Sequence, residues 1–352
     1  MKKSKLPERG TNMHIPNRFF KLQTATELEL SQQEAGIEKI KTQYIPIMAK
    51  SMINPVASPD LFMDYSLNPY QGCEHGCTYC YARLTHNYWG YSIADEFETK
   101  ILVKQNAIEV LKKELGSTNY VVKPIMLSGN TDCYQPAELK FGLTRKILDL
   151  FLFLKHPVML ITKNALILKD LTVLSALNSH NLVSVAISVS ASEDKTRRIM
   201  EPRASTIESR LQTISKLRAS GIPVHAMLAP IIPGINDSEL MEMVKLTADA
   251  GASSASYQIV RLNGQLPELF SAWLDEQYPD RKQRILNAIK ECHQGQLNDS
   301  NFKTRMKGSG TLSDSIRQQF KVAYKRNYPN PQKATLRTDL FIRIKNGQLP
   351  LW

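Results

Sequence analysis

Cys73-Glu74-His75-Gly76-Cys77-Thr78-Tyr79-Cys80 gathers three of the chain's five cysteines into eight residues. The other two, Cys133 and Cys292, stand far away along the chain. An odd set of thiols on so short a loop cannot pair off as disulfides, and thiolates are ligands for soft and borderline metals. Three thiolates suit a cubane iron–sulfur cluster in which one iron keeps an open position. Zinc is the rival: the triad with His75 or His86 would make a Cys3His site. Structural zinc usually draws on two separated cysteine pairs, and no second pair exists here, so the cluster is the preferred reading.

Outward from the triad, short apolar runs alternate with helical patterns. A plausible first strand covers residues 65–70, and further runs fall at 100–104, 123–128, 157–163, 182–189, 223–232 and 255–260. Helical periodicity covers 106–115, 144–153, 167–177, 206–220 and 238–250. Such alternation predicts βαβ units around a parallel sheet. Stop signals agree: Ser220-Gly221-Ile222-Pro223 closes one helix ahead of a strand, and Asn236-Asp237-Ser238 offers capping side chains to the next. About six βα units are too few for the eight of a closed barrel. The predicted fold is α/β, an open partial (β/α)6 barrel with a helical, basic C-terminal extension. Residues 1–45 read as a flexible or partly helical N-terminal extension, 46–262 as the core and 263–352 as the C-terminal extension. The tail 346–352 ends in apolar residues that are expected to dock on the body.

The chain of 352 residues carries a net charge of +12. Residues 281–345 hold fifteen Lys and Arg against four Asp and Glu, a net of +11. A solvated helical face explains this, as does a surface for a polyanion such as nucleic acid or for an acidic electron donor. No apolar run is long enough to span a bilayer and no signal-peptide pattern opens the chain, so a cytoplasmic location and no membrane partner are expected.

The C-x3-C-x2-C spacing, with Tyr79 as the aromatic before the last cysteine, resembles the radical S-adenosylmethionine (radical SAM) superfamily. Asn68 to Arg83, Thr131-Asp132-Cys133-Tyr134-Gln135-Pro136, Thr162-Lys163, Glu201-Pro202-Arg203 and the closing Gly347 to Trp352 resemble its branch related to spore photoproduct lyase. The resemblance implies a [4Fe–4S] cluster on Cys73, Cys77 and Cys80, with S-adenosylmethionine (SAM) chelating the fourth iron. It implies reductive cleavage of SAM to a 5′-deoxyadenosyl radical that takes hydrogen from a substrate, and an electron donor such as flavodoxin or ferredoxin. Most of that branch has no assigned substrate.

On this resemblance Ser128, Gly129 and Asn130 occupy the place of the segment that contacts the SAM amino group, although the usual acidic Gly-Gly-Glu form is missing. Tyr79 could present its backbone or ring to adenine, or pack the loop. Lys163 and Ser190, at strand ends, are candidates for SAM contacts. Arg203 and Arg210 are candidates for its carboxylate, because Arg binds carboxylates in bidentate fashion. The hydrogen-donating cysteine of the lyase aligns near Gly129. Cys133, four residues on, could serve as a donor or be a buried small residue. Asp132, Tyr134, Gln135 and Glu138 could line a substrate pocket or order their turn.

Overall fold

In the computed structural model the described residues are 9–11, 13, 15–19, 41–61, 63–332 and 334–344. The tail 346–352, and with it the expected docking of its apolar end, lies outside them. Ten strands are described: β1 (Gln43–Ile47), β2 (Asn54–Pro55), β3 (Tyr65–Leu67), β4 (Tyr70–Gln71), β5 (Lys100–Lys104), β6 (Ile125–Leu127), β7 (Val158–Thr162), β8 (Val183–Ser188), β9 (Val224–Ile231) and β10 (Ser254–Ile259). Among the helices, α1 (Ala107–Gly116), α2 (Leu143–Phe153), α3 (Leu171–Asn178), α4 (Ile207–Ala219) and α5 (Leu240–Asp249) alternate with strands. They are followed by α6 (Leu266–Gln277), α7 (Lys282–Cys292) and α8 (Thr311–Asn327).

The main sheet runs β10-β9-β8-β7-β6-β3-β2. From β3 to β10 every pairing is parallel, and β2 adds one antiparallel edge. Because β10 and β2 are edges rather than partners, the barrel is open, as the count of βα units predicted. Strand side chains alternate. Val183, Val185 and Ile187 of β8 pack into the core with Leu174 and Leu177 of α3 and Ile214 and Leu217 of α4. Ser184 and Ala186, between them, are half-buried on the opposite face. Helix ends follow their local chemistry: the Thr206 side chain caps α4 by accepting from the Ser209 amide, and Gly221 after it adopts φ 76°.

Two expectations change. The run 100–104 is a strand but not a barrel strand: β5 is the centre of a separate three-stranded sheet, β1-β5-β4. The expected first strand at 65–70 divides at Asn68-Pro69. Its front half, β3, joins the main sheet, and its back half, β4, pairs antiparallel with β5. Proline has no N–H to continue a ladder, and its carbonyl accepts instead from the Lys104 amide. Hydrophobic pattern marks a strand without marking which sheet it joins.

The C-terminal part is helical and then extended. α8 packs on α5, and described residues beyond it bond to loops that precede β10, β8, β7 and β6. Gln332 N donates to Ser253 O, Arg337 N to Asn181 O, Ile342 N to Leu154 O, and the Arg343 guanidinium to Ser117 O and Tyr120 O.

Candidate radical SAM site

The cysteine loop leaves β4 through Gly72, whose φ of 80° and close approach to Lys100 O and Phe97 O leave no room for a side chain. Its backbone is bonded to neighbours on several sides. Cys73 N donates to Phe97 O (2.9 Å), Glu74 N to the Gln135 side-chain oxygen (3.0 Å), and Gln135 Nε2 to Gly72 O (3.0 Å). Arg83 Nε donates to Cys77 O (2.7 Å) and Arg203 N to His75 O (3.3 Å). Arg83, fully buried, also donates to Ile93 O and Ala94 O and pairs with buried Glu98. None of the three cysteines is in a disulfide, and Cys73 and Cys77 are buried while Cys80 is partly exposed. Burial pushes the Cys73 thiol well above its ordinary pKa and the Cys77 thiol up to about 12.

The turn after β6 meets this loop. Ser128 takes φ 74°, and its hydroxyl accepts from the Cys133 amide (2.6 Å). Gly129 O accepts from the Tyr81 hydroxyl (2.5 Å), one residue past Cys80. Asn130 N donates to Asn68 Oδ1, and its amide reaches Gln71 and Thr85. Asp132 accepts from the Thr162 hydroxyl (2.8 Å) and the Lys163 amide (2.8 Å), and lies 3.5 Å from His75 Nδ1. Tyr134 donates to Asp170, and Glu138 pairs with Tyr70 and caps Thr144 N. Of the two readings given to this polar group, these bonds fit the ordering of the turn.

Beneath the loop, Glu201 gathers three candidates. Its carboxylate accepts from Lys163 Nζ (2.6 Å), Arg210 Nη2 (2.5 Å) and the Tyr79 hydroxyl. Lys163 Nζ also donates to the Tyr79 oxygen (2.6 Å) and sits 4.9 Å from the centre of its ring. Burial would raise the Glu201 pKa, but Arg210 and Lys163 outweigh it and hold the carboxyl well below the usual range. Burial opposes the Lys163 charge, yet Glu201 leaves its pKa raised.

The structure therefore sorts the candidates. Tyr79, Lys163 and Arg210 converge on Glu201, an acid that sequence reading passed over in favour of Arg203 two positions on. Arg210 is fully buried, and its remaining donors go to Ser205 O and Ser188 O. Its guanidinium is thus engaged by Glu201 and two backbone carbonyls. Arg203 lies 3.5 Å from Glu74 and keeps one buried guanidinium nitrogen without a partner. Ser190 is fully buried and its hydroxyl has no partner. Cys133 is fully buried in the main core, bonded to Ser128 and Thr144 through its backbone. That is the environment of a buried small residue, one of the two readings open for it. A shallow hollow of about 380 Å³ between α4 and α5 includes none of these residues.

The donor set fits a cluster better than a single ion. His86 bonds Glu96 O and packs against Tyr91 and Phe97, while His75 is directed to Asp132 and Asn164. Both nitrogens of His75 and Nε2 of His86 thus face partners other than the triad, which does not favour the Cys3His zinc reading. No group of three His, Cys, Asp or Glu among the described residues is drawn together as for one metal ion. Thiols with pKa values raised by burial become thiolates when a metal takes them. The orphaned Ser190 hydroxyl and Arg203 nitrogen offer polar atoms to a second ligand.

The family model of the Radical SAM superfamily matches residues 67–247. The chain belongs to the radical SAM superfamily, whose members use a [4Fe–4S] cluster and S-adenosylmethionine, and these are its cofactors. An uncharacterised protein of Mycobacterium tuberculosis is 32% identical over 237 residues, covering 66% of this chain and 70% of that protein. One of Methanocaldococcus jannaschii is 28% identical over 247 residues, covering 70% and 88%. In structure the chain is similar to spore photoproduct lyase complexed with dinucleoside spore photoproduct, with TM-score 0.59 and 14% identity over 81% of this chain and 80% of that one. At that identity the likeness is one of fold.

Proposed function

We propose that Cys73, Cys77 and Cys80 hold the [4Fe–4S] cluster and that the chain is a radical SAM enzyme acting on a substrate by hydrogen abstraction. The observation that carries the reading is three cysteines outside any disulfide on one loop whose backbone is held by its neighbours, within the family's domain. When bound and supplied with an electron, the cluster and SAM generate a 5′-deoxyadenosyl radical. The chain's own work is to bind, orient and exclude water. Lys163, Ser190, Arg203 and the turn Ser128-Gly129-Asn130 are the residues we assign to the SAM side. Tyr79 holds the loop to Glu201, and Lys163 is held by the same acid, so the loop and the SAM side share one anchor.

The test is anaerobic reconstitution followed by assay of iron, sulfide and 5′-deoxyadenosine under a strong reductant. Wild type is expected to take up iron and sulfide and release 5′-deoxyadenosine, with Cys80→Ala at background. A colourless protein that retains zinc after reconstitution overturns the reading.

Radical SAM enzymes need a reductant, and for this chain we place flavodoxin or ferredoxin in that role. We further propose a nucleic acid as partner. The supporting observation is that Arg317, Lys321, Lys325 and Arg326 are exposed together along α8.

A further inference from the structure

We infer that residues 9–11, 13 and 15–19 form a clasp that holds the cysteine loop in position and shields it, so that Gly10 and Ile15 are positioning residues for the cluster. The inference rests on the assignment of the cluster to Cys73, Cys77 and Cys80. Sequence reading placed this stretch in a flexible or partly helical extension, because it lacks apolar periodicity. Its described residues instead make successive contacts with the loop and the segment that supports it.

The contact at Gly10 is backbone on backbone. A Cβ built on Gly10 would overlap the Gly76 carbonyl, and a Cβ on Gly76 would lie 2.9 Å from Gly10 N. Neither position admits another residue while the two strands of chain touch. Gly10 N donates to Glu98 Oε2 (2.9 Å), the same carboxylate that pairs with Arg83, whose Nε donates to Cys77 O. Arg9 donates to Glu98 O (2.9 Å) and to the Thr42 hydroxyl (3.1 Å), which in turn donates to Glu74 within the motif (2.9 Å). The clasp thus reaches the loop at Glu74, Gly76 and Cys77, through side chains or directly.

Further along, Asp95 N donates to Met13 O and Ile15 N to the Ser92 hydroxyl (3.2 Å). Ile15 is 1% exposed and belongs to the apolar cluster that contains Cys77, Tyr79, Ile93 and Phe270. Asn17 Nδ2 donates to Asn87 O (2.9 Å) and Tyr91 O (3.1 Å). A short segment with this many fixed partners costs little extra to keep closed, and closure removes water from one side of the loop. What the clasp supplies to the reaction is access control: metal held by Cys77 is reached less easily by solutes.

The experiment compares the reconstituted full-length protein with Gly10→Val, Ile15→Asp and, as a control, Arg18→Ala. Arg18 contacts the exposed rings of Phe19 and Tyr88 rather than the loop. Iron release to an excess of a ferrous chelator, without oxygen, is followed by the visible absorbance of the cluster. Release is expected about tenfold faster for Gly10→Val and Ile15→Asp and unchanged for Arg18→Ala. Wild-type rates in the first two variants overturn the clasp. Should a variant fail to fold, hydrogen exchange on the wild-type apoprotein decides. Protected Gly10 and Ile15 amides support the clasp, and exchange at the rate of an unstructured peptide overturns it. A wild type that never assembles a cluster speaks against the proposed function, while the exchange measurement still judges the clasp.

Discussion

The ammonium of Lys163 lies 2.6 Å from the carboxylate of Glu201, 38 residues away along the chain, and the acid side chain is fully buried. Two cations, Lys163 and Arg210, and one phenol converge on that single anion. Removing Glu201 would strand both cations in a low-dielectric site. Glu201→Ala is therefore expected to destabilise the apoprotein by about 3–5 kcal/mol in a denaturant titration. Lys163→Met leaves Arg210 on the acid and is expected to cost clearly less. Equal losses in the two variants would contradict the reading of Glu201 as the hub.

Ser190 supplies a cleaner probe of SAM binding, because its hydroxyl is fully buried and bonds nothing in the protein. Ser190→Ala should leave stability within about 0.5 kcal/mol of wild type, or improve it, since no internal hydrogen bond is lost. If SAM takes that bond, its affinity falls about fivefold, measured by calorimetry on reconstituted protein. Unchanged affinity would remove Ser190 from the SAM side.

His156 sets an acid limit on stability. It sits between Phe151 and Phe341, bonds the Tyr120 hydroxyl at 2.7 Å, and burial lowers its pKa to about 4. An unfolded histidine titrates near ~6.5, so between the two values the unfolded chain binds more protons. The stabilisation is complete above about pH 6.5 and is lost as pH falls toward 4, by on the order of 3 kcal/mol. His156→Gln should flatten that part of the stability-against-pH curve. The same slope in wild type and variant would show that His156 is not responsible.

Lys321 and Lys325 stand one turn apart on the exposed face of α8. If this face meets phosphates, binding to a single-stranded or duplex oligonucleotide weakens steeply with salt. Each Lys→Glu substitution then reduces the slope of log affinity against log salt by about 1. Affinity that ignores both salt and substitution would exclude the face as a nucleic-acid surface.

Much of the barrel was legible because its signals are local. β7, β8 and β9 each lie within the predicted runs, since a buried parallel strand bounded by turn residues is marked in its own few residues. The split of the run 65–70 between two sheets was not legible, because partner choice is made by residues far along the chain. The triad was legible as a metal loop from spacing alone. Glu201 was not, because a buried acid and a surface acid look alike until Lys163, Arg210 and Tyr79 are brought to it. Cys133 kept two readings in the sequence for the related reason that proximity to the turn after β6 says nothing about which way its side chain points.

By itself the sequence determined the βα order, the openness of the barrel and the loop that offers three thiols, all properties of short stretches and their spacing. Only the tertiary structure decided what surrounds that loop. Gly10 against Gly76, Glu98 on Arg83 and Glu201 under Tyr79 each join residues that no local pattern relates. They meet because burying a charge or closing two backbones together is favourable only when every partner has arrived.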